Sequence, residues 1–342
     1  MTNSEHHRGL KTASFKPHED HPVRISLVKD DDEAEHDNCC ENWTLSDDLR
    51  EEFSSHGFIA FPNVLSFRDV DKLNDRLEKI LRGEYDRNQK PDKTPKLLKS
   101  DYETGQFQNY SEEKTEKQII NNSQQPKKTK GAAAGPLGFS GNLQNVKVLQ
   151  VINVHKADML FRKLAASPAL GKAVAELAGW KHGARLAQDQ VWAKPPGSPP
   201  LTFHRDSPYF MFDPPDVVTV WVALDTMDQV LGPLEYVKNS HRWGDGRVGS
   251  SNQFFQPNGG LKLMLSAAEK QGISEDDVEI ISMAGLQAGG ISIHDGRTWH
   301  GSGKNVCKDR PRRGLGLHFV PAKLDSQLML VIANSGDLTS RM

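Results

Sequence analysis

Apolar residues recur at helical spacing in the first part of the chain and at strand-like spacing in the second. Leu49 and Phe53 follow Thr44-Leu45-Ser46-Asp47, which offers N-cap chemistry, and Gly57 stops this short helix. Phe58-Ile59-Ala60-Phe61 is a continuous apolar run closed by Pro62-Asn63, the pattern of a short buried strand. Val70, Leu73, Leu77, Ile80 and Leu81 mark one face of an amphipathic helix that ends by Gly83. Two further helices are expected, one around 158–164 and one capped by Ser167, carrying Leu170, Val174 and Leu177 before Gly179. The pattern then changes. Residues 184–194, 217–224, 232–237, 290–293 and 314–320 are rich in β-branched and aromatic residues and separated by Pro and Gly turns. Helices first and many short strands afterwards predict an α+β chain whose mainly β core is an antiparallel sandwich or barrel.

Three stretches break the pattern. Residues 1–42 are polar, with the acidic run Asp30-Asp31-Asp32-Glu33, and read as a mostly disordered tail. Residues 86–135 are rich in Lys, Gln, Asn and Ser and read as a polar insertion or lid, with disorder expected. Residues 326–342 form a C-terminal tail, which leaves 43–325 as one large domain. Apolar content of 36% and charged content of 26% are ordinary for a globular protein. A net charge of −2 gives no field that would favour nucleic acid. No apolar run approaches the roughly 18–20 residues that span a bilayer. The N-terminus lacks the apolar core of a secretory signal. Three cysteines, two of them the adjacent Cys39 and Cys40, argue against a disulfide framework and for a reducing compartment. The expected location is intracellular: the peroxisome if Ser340-Arg341-Met342 acts as a variant of the S-K-L address, the cytoplasm if it is an accidental polar tail.

The sharpest chemical signal is Thr202-Phe203-His204-Arg205-Asp206. In extended backbone, positions i and i+2 share a face, so His204 and Asp206 can meet one ion. A lone His-x-Asp is weak, and with 13 histidines the chain holds a second copy, His18-Glu19-Asp20. That copy lies in the acidic tail with no flanking strand and is rejected. The third ligand expected is His300, followed by the small residues Gly301, Ser302 and Gly303, which permit close approach to a ligand. Two histidines and one carboxylate on one face of an octahedron leave three sites open, the pattern of non-haem Fe(II) oxygenases. Downstream, Arg310-Pro311-Arg312-Arg313 leads into a strand on which Arg312, Gly314, Gly316 and His318 share a face. Small residues beside an inward guanidinium leave room for a carboxylate-bearing molecule; the competing reading is a solvated basic patch.

These motifs resemble the phytanoyl-CoA dioxygenase family over about residues 44–320. The resemblance rests on Glu52-Phe53 to Ile59 with Pro62-Asn63, on Lys194-Pro195-Pro196 with His204-Arg205-Asp206 and Tyr209-Phe210, on Gly232-Pro233-Leu234 to Ser240-His241-Arg242, and on His300-Gly301-Ser302-Gly303-Lys304-Asn305. It implies a double-stranded β-helix (jelly roll) with flanking N-terminal helices. It also implies Fe(II), 2-oxoglutarate and O2, and hydroxylation of an unactivated C–H bond. By that resemblance His204, Asp206 and His300 would bind iron. Arg312, helped by Ser302, would pair with the distal carboxylate of 2-oxoglutarate, and Trp221 and Lys147 would line the co-substrate pocket. The loop after His300 is one residue longer than usual, so Arg310 and Arg313 are alternatives to Arg312. The chain also ends sooner after His300 than the family often does. A carboxylate at Asp206 fills the position a halide would need, which argues for hydroxylation over halogenation.

His294 and His318 are read as supporting or core histidines rather than ligands. Residues 243–289, with several glycines, are expected to supply lid and substrate contacts along with 86–135. Two other readings stay open: a non-catalytic jelly-roll binding protein, and a cupin-type metalloenzyme in which Asp189 adds a ligand. The partner expected is a small molecule or an acyl-CoA; its identity and the oligomeric state are not legible.

Overall fold

The computed structural model describes residues 10–18, 24–28, 45–95, 148–210, 214–244 and 259–323. Helix α1, Asp47–His56, starts where the Ser46 hydroxyl accepts from the Leu49 amide and stops at Gly57 in the left-handed region, φ 85°. A Cβ there would also lie 2.4 Å from a ring atom of His241, so glycine is required twice over. Strand β2, Phe58–Phe61, follows at once. Helix α2, Phe67–Leu81, buries Val70, Leu73, Leu77, Ile80 and Leu81, the predicted face. Strand β3 is Leu149–Ile152; helix α3, Met159–Ala165, is capped by Asp158, and helix α4, Pro168–Ala178, begins at the predicted cap Ser167.

The second half is the predicted series of strands with additions. These are β4, Ala184–Lys194; β5, Leu201–His204; β6, Val218–Ala223; β7, Leu234–Val237; helix α5, Gly259–Glu269; β8, Glu279–Ser282; β9, Ile291–Asp295; β10, His300–Ser302; and β11, Arg312–Pro321. Among the described residues they form a six-stranded sheet, β2-β9-β6-β11-β4-β3, and a five-stranded sheet that runs from β1 (Lys11–Ser14) through β8, β7 and β10 to β5. This is the expected jelly roll with helices flanking it.

The larger sheet has two chemically different faces. Its outer residues, among them Val191, Val220, Ile293, Leu315 and Leu317, join the helices in the main core. Its inner residues face the smaller sheet. Direct cross-strand partners share a face, so the register sets Thr219, Trp221, Gly314, Gly316, His318, Gln188 and Gln190 together on the inner side. Phe58, Trp221, Tyr236, Ile281 and Met283 fill one end of that space with a second, smaller apolar cluster.

The N-terminal stretch departs from expectation. Lys11–Ser14 pair in parallel with β8, and Ile25 and Leu27 are buried. Asp69 explains the anchoring, because its carboxylate accepts from the amides of Leu27 (2.9 Å) and Val28 (3.0 Å) and from Ser66 Oγ (2.8 Å). A sequence low in apolar residues can be ordered by backbone bonds supplied from elsewhere. The start of the polar insertion is also tied down: Lys93 bridges Ile152, and Asp92 pairs with Lys156. The excursion 243–289 contributes core as well as loop, since α5 and β8 bury Met264, Ala268 and Ile280 against Phe203 and Trp299. Residues 96–147, including most of the insertion and Lys147, and the tail 324–342 lie outside the described residues.

On α2, Glu78 is largely buried; burial raises its carboxyl to about 7 against the opposing pull of Arg313 and Arg82, and its Oε1 lacks a hydrogen-bond partner among the described residues. The unfolded chain releases this proton near pH 4.5 and the folded chain near 7, so stability falls as pH rises through that window. Glu78→Gln should flatten this dependence and raise Tm at pH 8 relative to pH 5, read by thermal melts of both proteins at both pH values.

Candidate metal centre

The local chain geometry at the first two candidate ligands differs from the extended run the sequence suggested. His204 ends β5, but Asp206 is already helical (φ −78°, ψ −46°) and opens a single turn, Ser207–Tyr209. The two side chains still converge, because the turn swings Asp206 back over the strand end. His300 enters from β10, which pairs with β5 so that His300 lies directly across from His204. Asp206 Oδ1 is 3.9 Å from His204 Nε2 and 3.6 Å from His300 Nε2. Among the described residues this is the one group of three side chains whose donor atoms lie within 4.8 Å of one another.

Each ligand is aimed by a partner. His204 Nδ1 is 2.8 Å from the Thr202 carbonyl, and His300 Nδ1 is 3.0 Å from that of Thr298. A carbonyl only accepts, so each Nδ1 carries the proton and each Nε2 presents its lone pair to the same point. Burial, with the neighbouring His300, pushes His204 down to about 3, which keeps its imidazole neutral. Asp206 divides its oxygens. Oδ2 accepts from Thr219 Oγ1 at 2.7 Å and from His294 Nε2 at 3.1 Å, leaving Oδ1 for the ion. Burial alone would raise this carboxyl, but the imidazoles of His300, His294 and His318 outweigh it and hold Asp206 well below the usual carboxylate range. A pre-aimed imidazole pair and one free carboxylate oxygen fit a divalent cation with open coordination sites.

His294 and His318 sit where supporting histidines were expected. His294 Nδ1 is 3.2 Å from the Tyr236 hydroxyl, which meets Ser292 Oγ at 2.7 Å, and Phe58 stacks on Tyr236. His318 Nδ1 is 2.9 Å from Thr219 Oγ1. Asp189 points away from the centre, to the other face of β4, where it is paired with His155; the cupin-type alternative finds no fourth ligand there.

Beyond the ligands the three arginines separate cleanly. Arg310 is half exposed and pairs with Asp228 at 2.6 Å; Arg313 pairs with Asp225 at 2.5 Å. Arg312 is 1% exposed, has no carboxylate partner among the described residues, and donates to Ser302 Oγ at 3.1 Å, leaving its Nε unpartnered. Burial brings Arg312 down to about 10, still cationic at neutral pH. Its guanidinium lies 5.8 Å from the Trp221 ring, whose indole occupies the space that a Cβ on Gly314 would take, at 2.2 Å. The sequence reading missed Lys194. It lies opposite Arg312 across β11 and β4, is fully buried, and donates to Ser302 Oγ at 3.2 Å and to the Gly303 carbonyl. Burial and the adjacent Arg312 push its ammonium well below the usual range for lysine. Two buried cations converging on one serine, with an unspent N–H, fit an anionic ligand.

The family model for phytanoyl-CoA dioxygenase (PhyH) matches residues 53–314. The chain belongs to the phytanoyl-CoA dioxygenase family. It is accordingly a 2-oxoglutarate-dependent non-haem iron oxygenase that works with Fe(II), 2-oxoglutarate and O2. No curated protein sequence matches it. Solved structures of similar fold include the non-haem α-ketoglutarate-dependent epimerase SnoN from nogalamycin biosynthesis, with 19% identity, 80% of this chain and 82% of that one covered, and a TM-score of 0.51. The carbocyclase SnoK from the same biosynthesis has 17% identity, 84% and 90% coverage, and a TM-score of 0.52. EctD from S. alaskensis, crystallised with 2-oxoglutarate and 5-hydroxyectoine, has 17% identity, 81% and 78% coverage, and a TM-score of 0.51. At these identities the likeness establishes the fold of this family member. Among its described residues, no helix is long and apolar enough to cross a membrane.

Thr219→Val removes one of the two donors that fix Asp206. It should weaken Fe(II) binding roughly 10- to 100-fold, while His204→Ala should abolish it. Anaerobic metal titration checks both, with circular dichroism verifying that the fold survives.

Proposed function

We propose that the protein hydroxylates an unactivated C–H bond of a small molecule, holding iron with His204, Asp206 and His300 and anchoring 2-oxoglutarate with Arg312. The observation that carries the reading is the chemical state of Arg312. It is buried on the inner face of β11 and has no carboxylate partner among the described residues, whereas Arg310 and Arg313 are each paired with one. When bound, Fe(II) with 2-oxoglutarate and O2 supplies the oxidising power, one oxygen atom going to succinate and the other to the substrate C–H bond.

The protein's own residues do the positioning. Arg312 receives the distal carboxylate, and Ser302, already held by Lys194, contributes its hydroxyl beside it. Trp221, drawn close by the missing side chain at Gly314, walls this pocket. Asp206 and both histidines are at most 9% exposed, so bulk water has little access to the reacting centre. An Asp at 206 supports hydroxylation over halogenation, since its carboxylate occupies a ligand position. The catalytic domain is taken as 43–325; Lys147, outside the described residues, is retained as a further co-substrate contact. The substrate is an acyl-CoA or a small metabolite, and the location is intracellular, peroxisomal if the terminal tripeptide is recognised.

The purified protein should release succinate from 2-oxoglutarate only with Fe(II) present. Arg312→Met should raise KM for 2-oxoglutarate roughly 30-fold or more, since truncating one partner of a buried charge pair costs about 2 kcal/mol or more. Arg310→Ala should leave KM within about twofold. Equal effects of the two variants would refute the assignment of Arg312.

A further inference from the structure

The inner face of the large sheet carries a feature the oxygenase chemistry does not use. Thr219 Oγ1 spends its single proton on Asp206 Oδ2, so it can only accept from His318 Nδ1 at 2.9 Å. His318 Nδ1 must therefore carry the ring proton, and Nε2 is a bare acceptor. That Nε2 is buried and without a hydrogen-bond partner among the described residues. It lies 3.5 Å from where a Cβ on Gly316 would stand, so the glycine keeps the space beside it open, and the Phe210 ring covers it at 5.0 Å between centroids.

Across β11 and β4 the direct partner of His318 is Gln188, on the same inner face. Gln188 terminates a directional chain of bonds. Lys93 donates to Gln150 Oε1 (3.1 Å), Gln150 Nε2 donates to Gln190 Oε1 (2.8 Å), and Gln190 Nε2 donates to Gln188 Oε1. An ammonium can only donate, so the chain runs one way and leaves the Gln188 NH2 as a donor. A bare acceptor and an unspent donor thus stand side by side, one hydroxyl away from the iron-ligating carboxylate.

We propose that His318 and Gln188 are the substrate-recognition pair, and that the substrate is a polar molecule presenting a hydroxyl or amide to them beside the carbon that reacts. This deepens the oxygenase reading and rests on it. An alkyl chain placed there would leave a buried acceptor unpaired, whereas a hydroxyl or amide satisfies both groups at once. A site built to hydrogen-bond a substrate group discriminates strongly against an analogue that lacks it. The substrate class is therefore hydroxylated or amide-bearing metabolites, such as sugar derivatives, polyols and amino-acid amides, rather than straight-chain acyl groups.

The test is succinate release and one-oxygen gain, followed by mass spectrometry, for the full chain with Fe(II) and 2-oxoglutarate. Two panels are compared: straight-chain fatty acyl-CoAs, and polyols, glycosides and amino-acid amides. At least one polar compound should speed succinate release tenfold or more and gain one oxygen, and no acyl-CoA should. Acceleration by an acyl-CoA, or by no polar compound, overturns the proposal while Fe(II)-dependent succinate release still upholds the oxygenase reading; no succinate from any mixture overturns that reading itself. With the compound found, Gln188→Leu and His318→Phe should each raise its KM at least tenfold, while 2-oxoglutarate affinity by equilibrium titration changes less than twofold for Gln188→Leu. An unchanged KM in Gln188→Leu also overturns the pair. Gln188→Leu serves as the second variant should loss of the Thr219 contact destabilise His318→Phe, and melting curves identify that case.

Discussion

The centre depends on how Asp206 divides its carboxylate. One oxygen is held by Thr219 and His294, both from the large sheet; the other faces two imidazoles supplied by the small sheet. The ion site therefore spans the two layers and exists only when they pack in register. A carboxylate on the turn after β5 could rotate freely without those donors. With them it becomes a fixed ligand before any metal arrives, and the ordering cost is met by folding rather than by binding.

The co-substrate end follows different physics. Burial opposes the charge of Arg312 and of Lys194, which meet at one serine, and the carboxylates of Asp225 and Glu235 offset it only in part. Strain of that kind persists where a ligand relieves it. On the proposed reading, a dicarboxylic acid bound there adds negative charge and relieves part of that penalty. Trp221 and the glycines of β11 shape the cavity beside these two cations.

Much of this was legible in the sequence because it rests on periodicity and local capping. The α1 and α4 caps, the Gly57 stop, the β4 boundaries and the inward set Arg312, Gly314, Gly316 and His318 all follow from neighbours within a few residues. The ligand triad was legible from residue type and family resemblance, although the reason first given for His204 and Asp206, a shared strand face, was not the mechanism. What stayed hidden depends on distant partners. Lys11–Ser14 become a strand because β8 offers an edge, and residues 25–28 are fixed by Asp69. Lys194 read as part of a Lys-Pro-Pro turn; only the cross-strand register puts it beside Arg312. Thr219 did leave a trace, as the single polar residue of an otherwise apolar strand.

The inner face of the large sheet separates the metal network from the proposed substrate contacts. At one end Phe58, Trp221, Tyr236 and Met283 pack as an apolar cluster, with Trp221 also bordering Arg312. At the other end β3 and β4 present Gln150, Gln190 and Gln188, none of which touches a metal ligand. Substitutions on β3 and β4 can therefore alter what is bound while leaving the Asp206 network intact. His318 is the exception, since its ring meets both the Thr219 hydroxyl and the open space beside Gly316. It would couple the proposed substrate contact to the posture of Asp206 through the Thr219 hydroxyl.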